Sequence, residues 1–204
     1  MITVICGSHK KNSQSLKVAR YSCARLMELY DDADPKIVNL GELAIPFWDE
    51  EFENVSEHWK TMWAPVSKQL VSSDGIIIIT PEWGGMAPPM LKNFFLLCDV
   101  KELGHKPALI ISISSGTNGG SYPIAELRSS SYKNNRVCYI PEQIVIREVK
   151  LYLNDPVKAD GEADLQLRKR IDFCFGILTR YIEALKLVRQ DGDVIFNDLY
   201  KYGM

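Results

Sequence analysis

"GIIIIT", residues 75–80, decides the fold. Four consecutive isoleucines put branched side chains on both faces of any strand they form. Only a strand covered by helices on both sides can bury both faces, so this run reads as the centre of a parallel sheet. "PALIISIS" (107–114) repeats the pattern, and "ITVIC" (2–6) and "KIVNL" (36–40) add two more strands. A fifth lies within "RVCYIPEQIVIR" (136–147), around Gln143 to Arg147. Segments with helical spacing alternate with these runs: 15–30, 55–73 with an interruption or kink at Pro65, 88–100 with proline near its N-terminus, 119–134 after a loop, and 164–188. Residues 41–54 read as a long irregular connection rich in aromatics and acids.

Alternating strands and helices imply an α/β three-layer sandwich with right-handed crossovers. Five strands in a chain of 204 residues favour the flavodoxin-like order 2-1-3-4-5. The expected division is one domain over 1–188 and a C-terminal tail over 189–204. In such sheets ligands sit beyond the carboxyl ends of the strands, where strands 1 and 3 diverge. That rule selects three loops: 7–15, 80–89 and 114–120.

The whole-chain balance narrows the ligand. A formal net charge of -2 and no basic run beyond three residues argue against nucleic acid or an anionic membrane surface as partner. The apolar runs are strand-length, far short of a membrane span, and "MITVICGS" does not read as a secretory leader. Five dispersed cysteines without a C-x-x-C, and three dispersed histidines, give neither a disulfide framework nor metal-ligand spacing. A reducing cytoplasm is the expected location.

The first loop, "GSHKKNSQS", offers the hydroxyls of Ser8, Ser13 and Ser15, the amides of Asn12 and Gln14, and the charge of Lys10 at a helix N-terminus. Free N–H groups and the helix dipole suit a phosphate there. The same residues also fit a plain helix cap with solvated lysines. The loop is neither G-x-x-x-x-G-K-[ST] nor G-x-G-x-x-G, which disfavours a dinucleotide on it. The second loop, "TPEWGGMAPPMLKNF", is stiffened by Pro81, Pro88 and Pro89, while Gly84 and Gly85 permit close backbone approach and Trp83 supplies a flat wall. The third, "SISSGTNGGS", is small and polar through Ser114, Ser115 and Gly116, so a planar ring could lie against its backbone. A phosphate end, a flat wall and a backbone-lined edge together describe a site for flavin mononucleotide.

These loops resemble those of the NADPH-dependent FMN reductase family, whose first loop has the form G-S-x-R-x-x-S-x-N and stands here as residues 7–15. The family's P-E-Y-N-x-S-x-P-x-x-L-K-N corresponds to residues 81–93, and its later Gly-Gly and Pro-Glu-Gln to Gly119-Gly120 and Pro141-Glu142-Gln143. Lys10 stands for an arginine, Trp83 for a tyrosine, Gly84 for an asparagine and Met86 for a serine. The resemblance implies an enzyme that passes a hydride from NADPH or NADH through FMN to a flavin, quinone or similar small acceptor. It implies phosphate binding by Ser8, Lys10, Ser13, Gln14 and Ser15, ring contacts from Pro81, Glu82, Trp83 and Gly84, a far edge at Ser114, Ser115 and Gly116, no catalytic side chain, and a homodimer or homotetramer. The rival is a descendant that keeps the fold for binding or regulation and has lost tight flavin binding or nicotinamide turnover. A serine hydrolase is disfavoured by the absence of G-x-S-x-G.

Overall fold

The computed structural model describes residues 1–204 apart from 55, 193–195 and 201–204, so part of the expected tail lies outside the described residues. Strands β1 (Ile2–Cys6), β2 (Pro35–Asn39), β3 (Gly75–Pro81), β4 (Pro107–Ile113) and β5 (Cys138–Ile146) form one parallel sheet in the order β2-β1-β3-β4-β5. This is the flavodoxin-like order expected from the sequence. The isoleucine run sits centrally, with Ile77 and Ile79 in one core cluster and Ile76 and Ile78 in the other. Helices α1 (Gln14–Leu29) and α7 (Gly161–Arg189) supply the first cluster; α3 (Glu57–Val71), α4 (Pro89–Leu97) and α6 (Ser121–Ser130) supply the second.

Two strand and helix boundaries depart from the sequence reading. β5 starts at Cys138, five residues before the segment expected. Tyr139 pairs with Ala108 but Gln143 pairs with Ile110, so the ladder slips across Ile140, Pro141 and Glu142. Pro141 has no N–H to donate, and an edge strand absorbs such a bulge. Helix α3 continues through Pro65 without a break.

The 41–54 connection is more ordered than its composition suggests. The Asn93 side chain, buried on α4, accepts from the Trp48 N–H (2.7 Å) and donates to the Pro46 carbonyl (2.9 Å), clamping the residues on either side of Phe47. Asp49 caps the short helix α2 (Glu50–Glu53) and accepts from Trp59 Nε1 at 2.9 Å. A four-residue helix α5 (Val100–Leu103) follows α4. Among the described residues, no helix is long and apolar enough to cross a membrane and no His, Cys, Asp or Glu cluster could hold a metal ion.

Candidate functional site

The three loops meet beyond the carboxyl ends of β1, β3 and β4. Gly7 follows β1 and donates its N–H to the Ile79 carbonyl at 2.8 Å. A Cβ at Gly7 would stand 2.8 Å from that oxygen and 2.9 Å from Leu91, so only glycine lets the first loop pass β3 this closely. Ser8 is buried and its Oγ accepts from the Lys10 N–H, which turns the loop. Ser13 is the N-cap of α1 and accepts from the Leu16 N–H at 3.1 Å. The Cys6 sulfur lies 3.8 Å from the same hydroxyl, and burial pushes its thiol pKa up, so it is a neutral neighbour.

Two side-chain atoms at the start of α1 are buried without a partner: Gln14 Oε1 and Ser15 Oγ. The first helical N–H groups also lack partners within the helix. Oxygen and nitrogen of an amide exchange by a simple flip, so Gln14 can present a donor here, as Ser15 already can. Helix α1 carries no acidic residue in its first turn. This donor set fits a phosphate. Lys10 Nζ lies 5.2 Å from the centre of the Trp83 ring, and the His9 ring meets the same indole edge-on at 4.5 Å. His9 was not singled out as a site residue, because the contact pairs residues 74 positions apart.

The second loop is a two-residue hairpin. Trp83 and Met86 exchange backbone hydrogen bonds at 3.0 and 3.1 Å, and Gly84 and Gly85 between them have φ of +58° and +77°. Positive φ at both central positions is the requirement of a type I′ turn, which glycine and asparagine meet best. Gly84 meets that requirement, and an asparagine could meet it too. Pro81 is buried as the last residue of β3. Glu82 points to the third loop: its Oε2 accepts from the Gly120 N–H at 2.6 Å, at the N-cap of α6. Glu126 of α6 accepts from the Ala87 N–H (2.7 Å) and from Lys92 (2.9 Å). Burial acts to raise the Glu126 pKa, but these two donors outweigh it and hold the carboxyl below its usual range. Two carboxylates thus fix the hairpin to α6 from either side.

In the third loop Ser114 Oγ accepts from the Gly116 N–H, while Ser115 and Gly116 are exposed. The carbonyls of Ser114 and Gly116 accept from Val149 and Glu148, and Arg147 donates to the Gly119 carbonyl. Contacts therefore join loop one to loop two through His9, Lys10 and Trp83, and loop two to loop three through Glu82. A cleft of about 470 Å³ begins at Asn12 and Ser13 and runs along α1; clefts of about 340 and 390 Å³ lie elsewhere, and none of the three is lined by loop two or three.

The family model for NADPH-dependent FMN reductase matches residues 1–150, and the chain belongs to that family. A quinone reductase from Pseudomonas putida is 32% identical over 127 residues, covering 58% of this chain and 62% of the relative, which is less than two thirds of its length. An NADPH azoreductase from Bacillus sp. (strain OY1-2) is 26% identical over 194 residues, 93% of this chain and 96% of the relative. Among solved structures, a flavoenzyme NAD(P)H:(acceptor) oxidoreductase from Paracoccus denitrificans aligns with a TM-score of 0.61 at 18% identity, covering 91% of this chain and 96% of that one. An oxidoreductase from Corynebacterium diphtheriae aligns at 0.62 and 15%, covering 90% and 96%. At those identities the structural likeness is one of fold.

Proposed function

We propose that this chain binds FMN and passes reducing equivalents from NADPH or NADH to a quinone, a flavin or a similar small acceptor. The observation that carries this reading is the family's first loop closing on an acid-free helix start, with Gln14 Oε1 and Ser15 Oγ buried and unpartnered beneath it. When bound, FMN supplies the hydride-accepting and electron-donating chemistry. The chain's part is position. Ser13, Gln14, Ser15 and the first N–H groups of α1 hold the phosphate, with Ser8 shaping the turn and Lys10 adding charge. The Trp83–Met86 hairpin walls the ring after Pro81, with Gly84 allowing close approach, and the backbone of Ser114, Ser115 and Gly116 meets its far edge. Glu82 acts through Gly120, keeping the third loop in register with the second. No side chain is required to move a proton.

A homodimer or homotetramer is part of the proposal, supported by the rigidly clamped Phe47, 66% exposed, and by Leu96 and Tyr122, 65% and 70% exposed. So is a cytoplasmic location, supported by five free cysteines. The relatives' printed activities support quinone and azo acceptors as the first to try. The test is a titration of purified protein with FMN and riboflavin, then anaerobic addition of NADPH. The expected result is FMN uptake followed by bleaching of its absorbance, reversed by a quinone. Failure to take up FMN at tens of micromolar would overturn the reading and favour a binding protein on the same fold.

A further inference from the structure

The turn that leaves β2 lies flush against the backbone of the first loop. A Cβ at Gly41 would stand 2.8 Å from the Lys10 carbonyl oxygen, 3.1 Å from its carbonyl carbon and 3.2 Å from the Ser8 carbonyl oxygen. Backbone atoms cannot swing aside as the end of a long side chain can. Gly41 does not have a positive φ, so the position calls for glycine by space and not by conformation.

The turn is a firm surface. The Leu40 N–H donates to the Cys6 carbonyl at 3.1 Å, and the Leu40 side chain is buried. Asn39, also buried, accepts from the Gly41 N–H through Oδ1 at 3.1 Å, and its carbonyl accepts from Glu42 and Leu43. On its other flank the loop is pinned where Gly7 meets Ile79. Residues 8–10 are therefore confined from both sides.

That confinement has a chemical consequence. The carbonyl oxygens of Ser8 and Lys10 turn toward Gly41. In a trans peptide the N–H points opposite to the carbonyl, so the N–H groups of His9 and Lys11 face away from Gly41. Neither has a hydrogen-bond partner among the described residues. The turn thus draws acceptors to one side of the loop and leaves donors on the other.

We propose that Gly41 and Asn39 are positioning residues for the cofactor phosphate: they act through the backbone of residues 8–11 and set its N–H groups for an anion. The proposal rests on the cofactor reading above. Titrations with FMN and riboflavin test it, because only FMN carries the phosphate. Gly41→Ala should weaken FMN about fivefold to tenfold, the value of misaligning one charge-assisted hydrogen bond, and leave riboflavin within about twofold. Asn39→Ala releases the Gly41 N–H without adding an atom and should weaken FMN about twofold to fivefold, again sparing riboflavin; it carries the test if Gly41→Ala does not fold. Ile182→Val is the control. Ile182 packs in the core against Gly75, the first residue of β3 and so at the opposite end of the sheet. It should lower the urea midpoint and leave the ratio of FMN to riboflavin affinity unchanged. Equal losses of both ligands in the Gly41 and Asn39 variants, no loss in either, or the same change of ratio in Ile182→Val would overturn this inference alone. Failure of the unmodified protein to bind FMN would overturn the cofactor reading together with it.

Discussion

Helices α1 and α7 pack on the same face of the sheet, and both begin near the carboxyl ends of its strands, yet their N-termini are finished in opposite ways. The first turn of α7 carries Glu162 and Asp164. Asp164 is almost wholly buried and accepts from the N–H groups of Leu153 and Asp160 and from Arg168 Nε, each at 3.0 Å. The first turn of α1 has no acid and leaves Gln14 Oε1 and Ser15 Oγ buried without partners. One helix brings its own anion to its positive end; under the proposed reading the other receives one from outside. The wider pattern agrees. Asn39 Nδ2, at the end of β2, and Ser112 Oγ, near the end of β4, are also buried and unpartnered. At the opposite end of the sheet the N-terminus, Asp74, Lys106 and Arg189 are all paired. Ser22 Oγ and Trp63 Nε1, within α1 and α3, are unpartnered as well, but the other four atoms gather at the carboxyl end of the sheet, where under the proposed reading the missing partner comes from outside.

The largest effect should come from breaking the self-sufficient end. Asp164→Ala strips Arg168, itself 7% exposed, of its carboxylate partner, leaving it only the Asp155 and Lys158 carbonyls, and leaves two N–H groups unmet. Losing one half of a buried pair costs about 3–5 kcal/mol, read as a lower midpoint in urea denaturation. Its pH dependence has a definite sign. Burial acts to raise the Asp164 pKa, but the Leu153 and Asp160 amides and the Arg168 guanidinium outweigh it, and the folded pKa lies below the ordinary value. The stabilisation is therefore complete above about pH 4 and lost as pH falls through the depressed folded value. The gap between wild type and Asp164→Ala should close in acid; a constant gap would mean that the carboxylate charge contributes nothing.

Ser15→Ala tests the other end and should move stability and binding in opposite directions. The hydroxyl has no partner to lose, and alanine is the better helix former, so the apo protein should gain about 0.5 kcal/mol. FMN affinity should fall about fivefold to tenfold, with riboflavin unchanged. Loss of apo stability would show that Ser15 is an ordinary structural residue and would remove the contrast between the two helices. Lys10→Ala should do less. Its ammonium lies against the exposed side of Trp83, where such a contact is worth about 0.5–1 kcal/mol, so FMN should weaken only about twofold to fivefold. An order-of-magnitude loss confined to FMN would show that the ammonium leaves the indole to meet the phosphate.

Much of this arrangement is legible in the sequence, for reasons that are local. Residues 75–80 announce a doubly covered strand through their own branching, and Ser13 precedes its helix as a cap should. What is not legible depends on distant partners. The Glu82 carboxylate of the second loop accepts from Gly120, 38 residues away. The approach of Lys10 to Trp83 joins residues 73 positions apart. The cleft along α1 needs residues 153–156 brought back across the helix by Lys17, which no periodicity reveals. The fifth strand begins earlier than Gln143 because Pro141 is carried as a bulge on the sheet's edge.

The smallest expected effect concerns the second loop, where glycine stands at a turn position that asparagine could also occupy. Gly84 has φ of +58°, and a Cβ there would meet only the Met86 side chain, at 3.8 Å, an ordinary contact. Asparagine enters the left-handed region more readily than other non-glycine residues and is favoured in type I′ turns. Gly84→Asn should therefore change stability by no more than about 0.5 kcal/mol, the range of a surface substitution free of strain. Gly84→Val, branched at Cβ and forced to positive φ, should cost about 1–3 kcal/mol. The pair separates backbone from side chain. If Gly84→Asn leaves stability alone but tightens both FMN and riboflavin, the family's asparagine acts on the ring itself. If neither ligand responds, the position serves only to turn the chain, and the flat wall belongs to Trp83. Equal destabilisation by asparagine and valine would show that the hairpin is not the type I′ turn its φ angles describe.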